Sequence, residues 1–238
     1  DRIESSDIIA RAYFIYYGFS ALYTEPMQSC VKCLKRGFEV GVSNGDPFSA
    51  FFCAHQEIRV SLIGGGKLST LLRESECYLT DAGQHNNTVA KKFFLIYQQT
   101  IRLLIDKGLS IQNGDGADEL RQGESLCTTR LSETMNFLKA LESFWLGYAE
   151  RCHHYVLKLL ETSFLGRHHR LVISFYHGIN VFAMLKRQKA SKLRQIPKNA
   201  LVALKAAATN SSWNYGNKVH LLEAELSSYE GRSEDAQS

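Results

Sequence analysis

The sequence predicts an all-α protein whose antiparallel helical hairpins stack as a right-handed solenoid of about ten helices. Apolar residues recur with a period of about 3.6 residues along most of the chain. Short runs of glycine, proline or polar residues separate these periodic stretches, and no stretch shows the apolar and polar alternation of a strand. Because the breaks are short, consecutive helices are expected to run antiparallel.

The composition is that of a folded domain. The chain has 238 residues, of which 45% are hydrophobic and 22% charged, and this content is sufficient for a continuous packed core. The longest apolar run, Ala12 to Tyr23, is shorter than the roughly 20 residues of a membrane-spanning helix. We therefore expect no membrane insertion.

The first half of the chain, 1–107, contains five apolar stripes, and each stripe predicts one helix. In order they are Ile8–Tyr23, Met27–Val42, Phe48–Leu62, Leu68–Leu79 and Val89–Leu104. Pro47 stands where a first-turn proline is tolerated, and Asp46 before it is a natural N-cap. Gly45 and Gly108 are suited to the left-handed residue that ends a helix.

A polar, glycine-rich segment, 108–129, interrupts this periodicity and is predicted to be a loop or an insertion. The second half, 130–238, is predicted as another set of helical repeats that is truncated in a hairpin at its C-terminus. Its helices are expected at about 130–146, 148–164, 168–187, 197–210 and 217–230.

The clearest repeat signature lies between Leu222 and Ala236. A helix, a glycine turn and a second acidic helix start follow one another there, as at the junction inside a tetratricopeptide-like hairpin. Gly231 supplies the turn, Ala236 leaves room for helix packing, and Gly147 occupies the turn of a weaker version of the pattern. Since the second helix would continue past the last residue, and the chain does not begin with Met, we expect a piece of a longer protein.

Several dispersed motifs resemble a helical region of very large signalling proteins. They are Glu25-Pro26-x-x-Ser29-Cys30, Arg36-Gly37-Phe38-Glu39-Val40-Gly41, Gly45-Asp46, Ala50-Phe51-Phe52, Tyr176-x-Gly178 and Lys218-x-His220-Leu221-Leu222-Glu223-Ala224-Glu225. In that family a protein-kinase-like domain and an AAA-type predicted ATPase precede this tetratricopeptide-like region. GAF domains and histidine-kinase or cyclase output domains follow it. The resemblance covers most of the chain, but segment 108–129 departs from the family pattern.

The resemblance implies a cytoplasmic, non-catalytic segment that links an ATPase module to an output module. It implies no cofactor and no catalytic residue here, since the catalytic motifs of the family lie in other domains. Two alternatives stay open: a free-standing adaptor that binds acidic peptides, and a metal-binding helical domain.

The cysteines are scattered over the chain and predict reduced, mostly buried thiols of an intracellular protein. The six are Cys30, Cys33, Cys53, Cys77, Cys127 and Cys152. Cys30 and Cys33 form a CxxC motif, but no second pair at zinc-like spacing accompanies it.

Gly64-Gly65-Gly66-Lys67 lacks the full phosphate-loop pattern and is interpreted as a turn. Segment 113–119 has oxygen ligands without calcium-loop spacing, so it is interpreted as a solvated loop.

Histidine clusters offer the residues for a metal site. His153 and His154 follow Cys152, His168 and His169 lie on the next predicted helix, and the two groups could approach each other across a turn at Gly166. His177 and Cys127 could lie nearby. Because nothing in the sequence fixes a ligand geometry, we interpret them as partly exposed imidazoles that titrate near a helix junction, and a metal site is the alternative.

Charge is distributed unevenly. No acidic residue lies between Glu161 and Glu223, although the net charge of the chain is only +4. The basic residues at the centre of this stretch are Lys186, Arg187, Lys189, Lys192 and Arg194. They predict a docking face for an acidic protein surface, with a solvated basic face as the alternative. No nucleic-acid-binding fold is recognisable, and no nucleic-acid partner is expected.

Overall fold

The computed structural model describes residues 3–106, 126–162, 166–187 and 191–231. These ranges contain ten α-helices and no strand, which confirms the all-α prediction. The helices are α1 Ile3–Ile15, α2 Met27–Ser43, α3 Pro47–Ile63, α4 Leu68–Gln84, α5 Thr88–Ile105, α6 Leu126–Trp145, α7 Ala149–Leu160, α8 Arg167–Arg187, α9 Gln195–Ala208 and α10 Ser212–Tyr229. Shorter π- and 3₁₀-helical turns follow α1 and precede α9. None of the helices in the described part has both the length and the apolar character that a bilayer crossing requires.

Turns of one geometry connect α2 to α3, α3 to α4 and α4 to α5. Each contains one residue with positive φ, namely Gly45 at 74°, Gly65 at 82° and Asn86 at 50°. At the first turn the amide of Asp46 donates to the carbonyl of Gly41 over 2.8 Å, and the amide of Gly45 donates to that of Val42 over 3.2 Å. This is the Schellman pattern, which closes a helix and reverses the chain within a few residues.

The first compact unit is Asp1–Leu138, and α3 lies at its centre. Helices α1, α2, α4 and α5 all pack on α3, so nearly every residue from 49 to 60 is buried. The predicted N-cap is confirmed, because the carboxylate of Asp46 accepts the amide of Ser49 over 3.0 Å. A central helix without a solvent face must bury the polar residues in its sequence as well as the apolar ones.

Two glycines of α2 set the distance between α2 and its neighbours. A Cβ on Gly37 would lie 2.6 Å from Cβ of Tyr13 and 2.8 Å from Sγ of Cys53. A Cβ on Gly41 would lie 2.8 Å from Cβ of Ala50. Because real Cβ atoms do not approach other atoms so closely, these positions accept no larger residue without displacing a helix.

The predicted contact face of α1 is wrong. Ile8 and Ile15 are exposed, whereas Ala10 is buried, and Ala10 lies against Gly41. Close helix approach selects small side chains, so the apolar stripe of larger residues faces away from the packed interface. The π-helical turn at Tyr16–Ser20 also shifts the helical register before Leu22 enters the core.

The second compact unit is Lys139–Ser238. Helices α7, α8, α9 and α10 pack consecutively, and α10 also packs on α8. Gly178 allows a close approach, because a Cβ there would lie 3.1 Å from Cδ1 of Leu222. Helix α6 begins at Leu126, so positions 126–129 of the segment predicted as a loop are helical, and positions 107–125 lie outside the described residues.

Candidate functional site

The predicted basic surface lies at the end of α8 and in the short turn before α9. Lys186 is an exposed residue of α8, and Lys192 and Arg194 are exposed residues of the 3₁₀ turn Ser191–Arg194. The side chains of Arg187 and Lys189 lie outside the described residues. Gly147 and Gly231 both have φ of 78° at helix ends, and Ala236 lies outside the described residues.

Helix α10 supplies carboxylates that the linear sequence places far from these cations. Lys186 Nζ lies 3.8 Å from Glu225, Lys198 Nζ lies 3.1 Å from Glu230, and Lys205 Nζ lies 2.6 Å from Glu223. The stretch without acidic residues is therefore neutralised in part by its neighbour in space. The hydrophobic periodicity within each helix does not reveal these pairs, because they depend on how α10 packs against α8 and α9.

Lys192 and Arg194 form the remaining basic pair. Both are exposed, and neither has a carboxylate within ion-pair distance among the residues that the structure describes. Cations without a local partner keep their full attraction for an external acidic group at low salt. Of the predicted basic residues whose side chains the structure describes, Lys192 and Arg194 are therefore the ones available to a partner.

The histidines form two groups, and these are not the groups expected from the sequence. His153 Nδ1 lies 2.7 Å from His177 Nε2, so α7 and α8 meet through this pair. His168 Nδ1 instead lies 2.5 Å from the hydroxyl of Tyr215. His153 meets His177 because in an antiparallel hairpin the middle of α7 faces the middle of α8.

The histidines considered for the alternative of a metal site lie in different parts of the described structure. Along α8, His168 and His177 are separated by about 13 Å of helix axis, at about 1.5 Å per residue. Among the described residues, no three histidine, cysteine or acidic side chains converge as a metal would require. Cys127 lies outside the described side chains.

The His153–His177 contact needs at least one neutral imidazole, because one of the two rings must accept the hydrogen bond. Burial, and to a smaller extent the neighbouring His153, lower the pKa of His177 to about 4. The pKa of His153 is also lowered, first by burial and then by His154. Both rings are therefore neutral at pH 7, and protonation of both would place like charges in contact.

We expect His177 to make the stability of the chain depend on pH. Its pKa is lower in the fold than in the unfolded chain, so its contribution is complete above pH 6.5 and is lost as the pH falls toward 4. Between pH 7 and pH 5 the wild type should lose about 2 kcal/mol more than the His177→Gln variant. Urea unfolding at both pH values measures this difference, and His154→Gln, at an exposed neighbour, is the control. If the wild type and His177→Gln lost the same stability between pH 7 and pH 5, His177 would not be the source of the pH dependence.

A row of buried polar residues on α3 was not predicted from the sequence. His55, Gln56, Glu57 and Arg59 are all less than 6% exposed. The sequence signal that could have revealed them is the absence of a polar face on α3, since a helix that is apolar on several sides is buried all round.

Glu57 is the acidic member of this row. Burial, followed by the charge of Glu74, raises its pKa to about 8, although Lys35 opposes the shift. Its carboxyl group lies 3.4 Å from the hydroxyl of Ser61, while Lys35 and Glu74 form an ion pair of 2.9 Å at the surface. The carboxyl group is therefore mostly protonated at pH 7, which reduces the cost of its burial.

The remaining sequence motifs are structural where they are described. Cys30 of the CxxC motif is buried in α2, and burial raises the pKa of its thiol to about 12. The described cysteines form no disulfide with one another. The Gly64–Lys67 segment joins two helices, as the turn interpretation predicts. Segment 113–119 lies outside the described residues.

The candidate sites are assigned from the geometry of this chain. The Lys192/Arg194 pair offers positive charge at the surface. The His153–His177 pair and the polar residues of α3 between His55 and Arg59 offer polar groups in the interior. Comparison with protein-family models, with curated proteins and with solved structures finds no match for the chain.

Proposed function

We propose that this chain is a non-catalytic helical-repeat scaffold that links ATPase and output modules of a large cytoplasmic signal-transduction protein. The observation that supports the proposal best is the repetition of one helix-and-turn unit from α2 to α5. These four helices have 17, 17, 17 and 18 residues. Repeated units of this kind stack on their neighbours, and the resulting scaffold presents extended surfaces to other domains.

The repeat length can be measured between equivalent turn residues. From Gly45 to Gly65 the interval is 65 − 45 = 20 residues, and from Gly65 to Asn86 it is 86 − 65 = 21 residues. One hairpin therefore takes 41 residues, which exceeds the roughly 34 of a tetratricopeptide repeat and falls within the range of about 40–47 for HEAT and armadillo repeats. In the proposed solenoid the hairpins are accordingly longer than tetratricopeptide hairpins.

The environments of the thiols favour a structural role. Burial raises the pKa of Cys53 and of Cys152 to about 12, as it does for Cys30. A thiol with such a pKa stays protonated at pH 7 and is a poor nucleophile or metal ligand. These residues serve the packing of α2, α3 and α7.

The flanking coding sequence tests the scaffold proposal. A kinase-like domain and an ATPase domain encoded upstream, with an output domain downstream, would support it. A full-length protein of about 240 residues would reject it, and would leave the free-standing adaptor as the alternative, since domains of this size fold alone.

We expect the Lys192/Arg194 pair to bind acidic groups. The double variant Lys192→Glu/Arg194→Glu should weaken binding of a fluorescent ten-glutamate peptide about tenfold at low salt, because each position changes from attraction to repulsion. Fluorescence anisotropy at low and at high salt concentration measures the affinity, and binding by the wild type should weaken as salt screens the charges.

The matched control is Lys198→Glu/Lys205→Glu, which changes the net charge equally. Because both lysines are paired with α10 carboxylates in the fold, this variant should weaken peptide binding much less. If both variants weaken binding to the same degree, or if salt has no effect, the peptide does not recognise the Lys192/Arg194 pair.

A further inference from the structure

Three side chains inside the first unit carry polar atoms without a hydrogen-bond partner. These atoms are Nδ1 of His55, Nε and Nη2 of Arg59 and the hydroxyl of Tyr97. The exposed fractions of the three residues are 5%, 4% and 0%. Buried polar groups in folded proteins are almost always hydrogen-bonded, so several such atoms in one place need a specific explanation.

The three side chains belong to one polar cluster between α3, α5 and α6. His55 and Arg59 lie one helical turn apart on α3, and the His55 ring is 5.6 Å from the ring of Tyr97 on α5. The Arg59 guanidinium stacks 4.4 Å above Phe137 of α6, and its Nη2 lies 3.8 Å from Glu133. That distance allows electrostatic attraction but exceeds a hydrogen bond.

Charge balance decides which ligand this interior can accept. Among the fully buried groups, the positive charge of Arg59 is matched by the negative charge of Glu133, whereas the nearby Arg130 is partly exposed to solvent. Burial lowers the pKa of His55 well below its usual value, and Arg59 and Arg130 lower it further, so this ring is neutral. An added anion or cation would be a buried charge without compensation, which is unfavourable. The ligand must therefore be neutral, and it must both donate and accept hydrogen bonds.

We propose that the interior between α3, α5 and α6 is an internal hydration site, in which bound water joins Arg59, His55 and Tyr97. Water accepts from the guanidinium of Arg59, and it donates to or accepts from the other two groups without adding charge. Phe93 separates this site from the surface, because its ring lies 4.4 Å from His55 and also lines a surface recess of about 80 Å³ beside Phe48 and Phe52.

The Tyr97→Phe variant of the whole chain tests the proposal, because its effect on the stability of the fold depends on whether water bonds the hydroxyl. If water bonds the hydroxyl, its removal should lower the folding equilibrium constant about three- to tenfold. If the hydroxyl is dry and unpaired, the variant should be equally stable or more stable, which would reject the proposal. Tyr16→Phe, in the same unit but with an exposed ring, is the control and should leave the constant unchanged.

A high-resolution crystal structure separates water from a direct protein contact. Ordered water within hydrogen-bond distance of Arg59 and of His55 or Tyr97 is the expected result. Direct hydrogen bonds from Arg59 to Glu133 and from Tyr97 to a protein group, without ordered water in the cluster, would overturn the proposal even if Tyr97→Phe is destabilising.

Discussion

Replacing Gly37 by leucine is expected to lower the free energy of unfolding by about 3 kcal/mol, although leucine is the better helix former. The first added carbon would already meet Tyr13 at 2.6 Å and Cys53 at 2.8 Å. The position of Tyr13 Cβ is set by its backbone, and Sγ of Cys53 is fully buried, so α1 or α3 must move away from α2. Urea unfolding followed by circular dichroism measures the loss.

The control for this substitution is Gly83→Ala, in the last turn of α4. A Cβ on Gly83 would meet only the flexible end of Lys91, at 3.7 Å. Removing glycine from an open helical position should stabilise the chain by about 0.5–1 kcal/mol. The packing described for α2 would be wrong if Gly37→Leu were tolerated as well as Gly83→Ala.

Replacing Glu133 by leucine is expected to cost about 3–5 kcal/mol of stability. The substitution leaves the guanidinium of Arg59 buried without its counter-charge, and burial already lowers the pKa of that group. A buried cation without a partner is among the least favourable arrangements in a protein interior. Chemical denaturation at pH 7 measures the loss.

The double variant Arg59→Met/Glu133→Leu shows whether this loss comes from the unpaired charge. Methionine and leucine can fill the same space with apolar groups, so the double variant should recover most of the stability lost by Glu133→Leu alone. If the loss of stability in the double variant equals the sum of the losses in Glu133→Leu and in Arg59→Met, the two side chains do not interact.

The helices of the first unit could largely be predicted from the sequence. The apolar stripes that begin at Met27, Phe48, Leu68 and Val89 coincide with α2 to α5, because amphipathic periodicity and turn residues are local properties of the chain. The contact face of α1 could not be predicted. It depends on Gly41 in another helix, and the approach of the two backbones selects alanine over larger apolar residues.

The candidate sites were less accessible to sequence reasoning. Polar residues are normally assigned to the surface, so His55 and Arg59 are not expected in the interior unless the absence of a polar face on α3 is recognised first. The contact of His153 with His177 depends on the register of the α7–α8 hairpin, which periodicity within each helix does not fix. The pairing of Lys205 with Glu223 is likewise a property of two neighbouring helices.

The turns between α2 and α5 are uniform and too short to absorb a change in the length of a helix. Each additional residue inside α3 would rotate the rest of that helix by about 100°, and turns this short could not absorb the rotation. Every side chain beyond the insertion would then face a different neighbour, including Arg59. We therefore expect that insertions and deletions are not tolerated between α2 and α5. The constant spacing of these helices then fixes the distances between the residues on their outer surface.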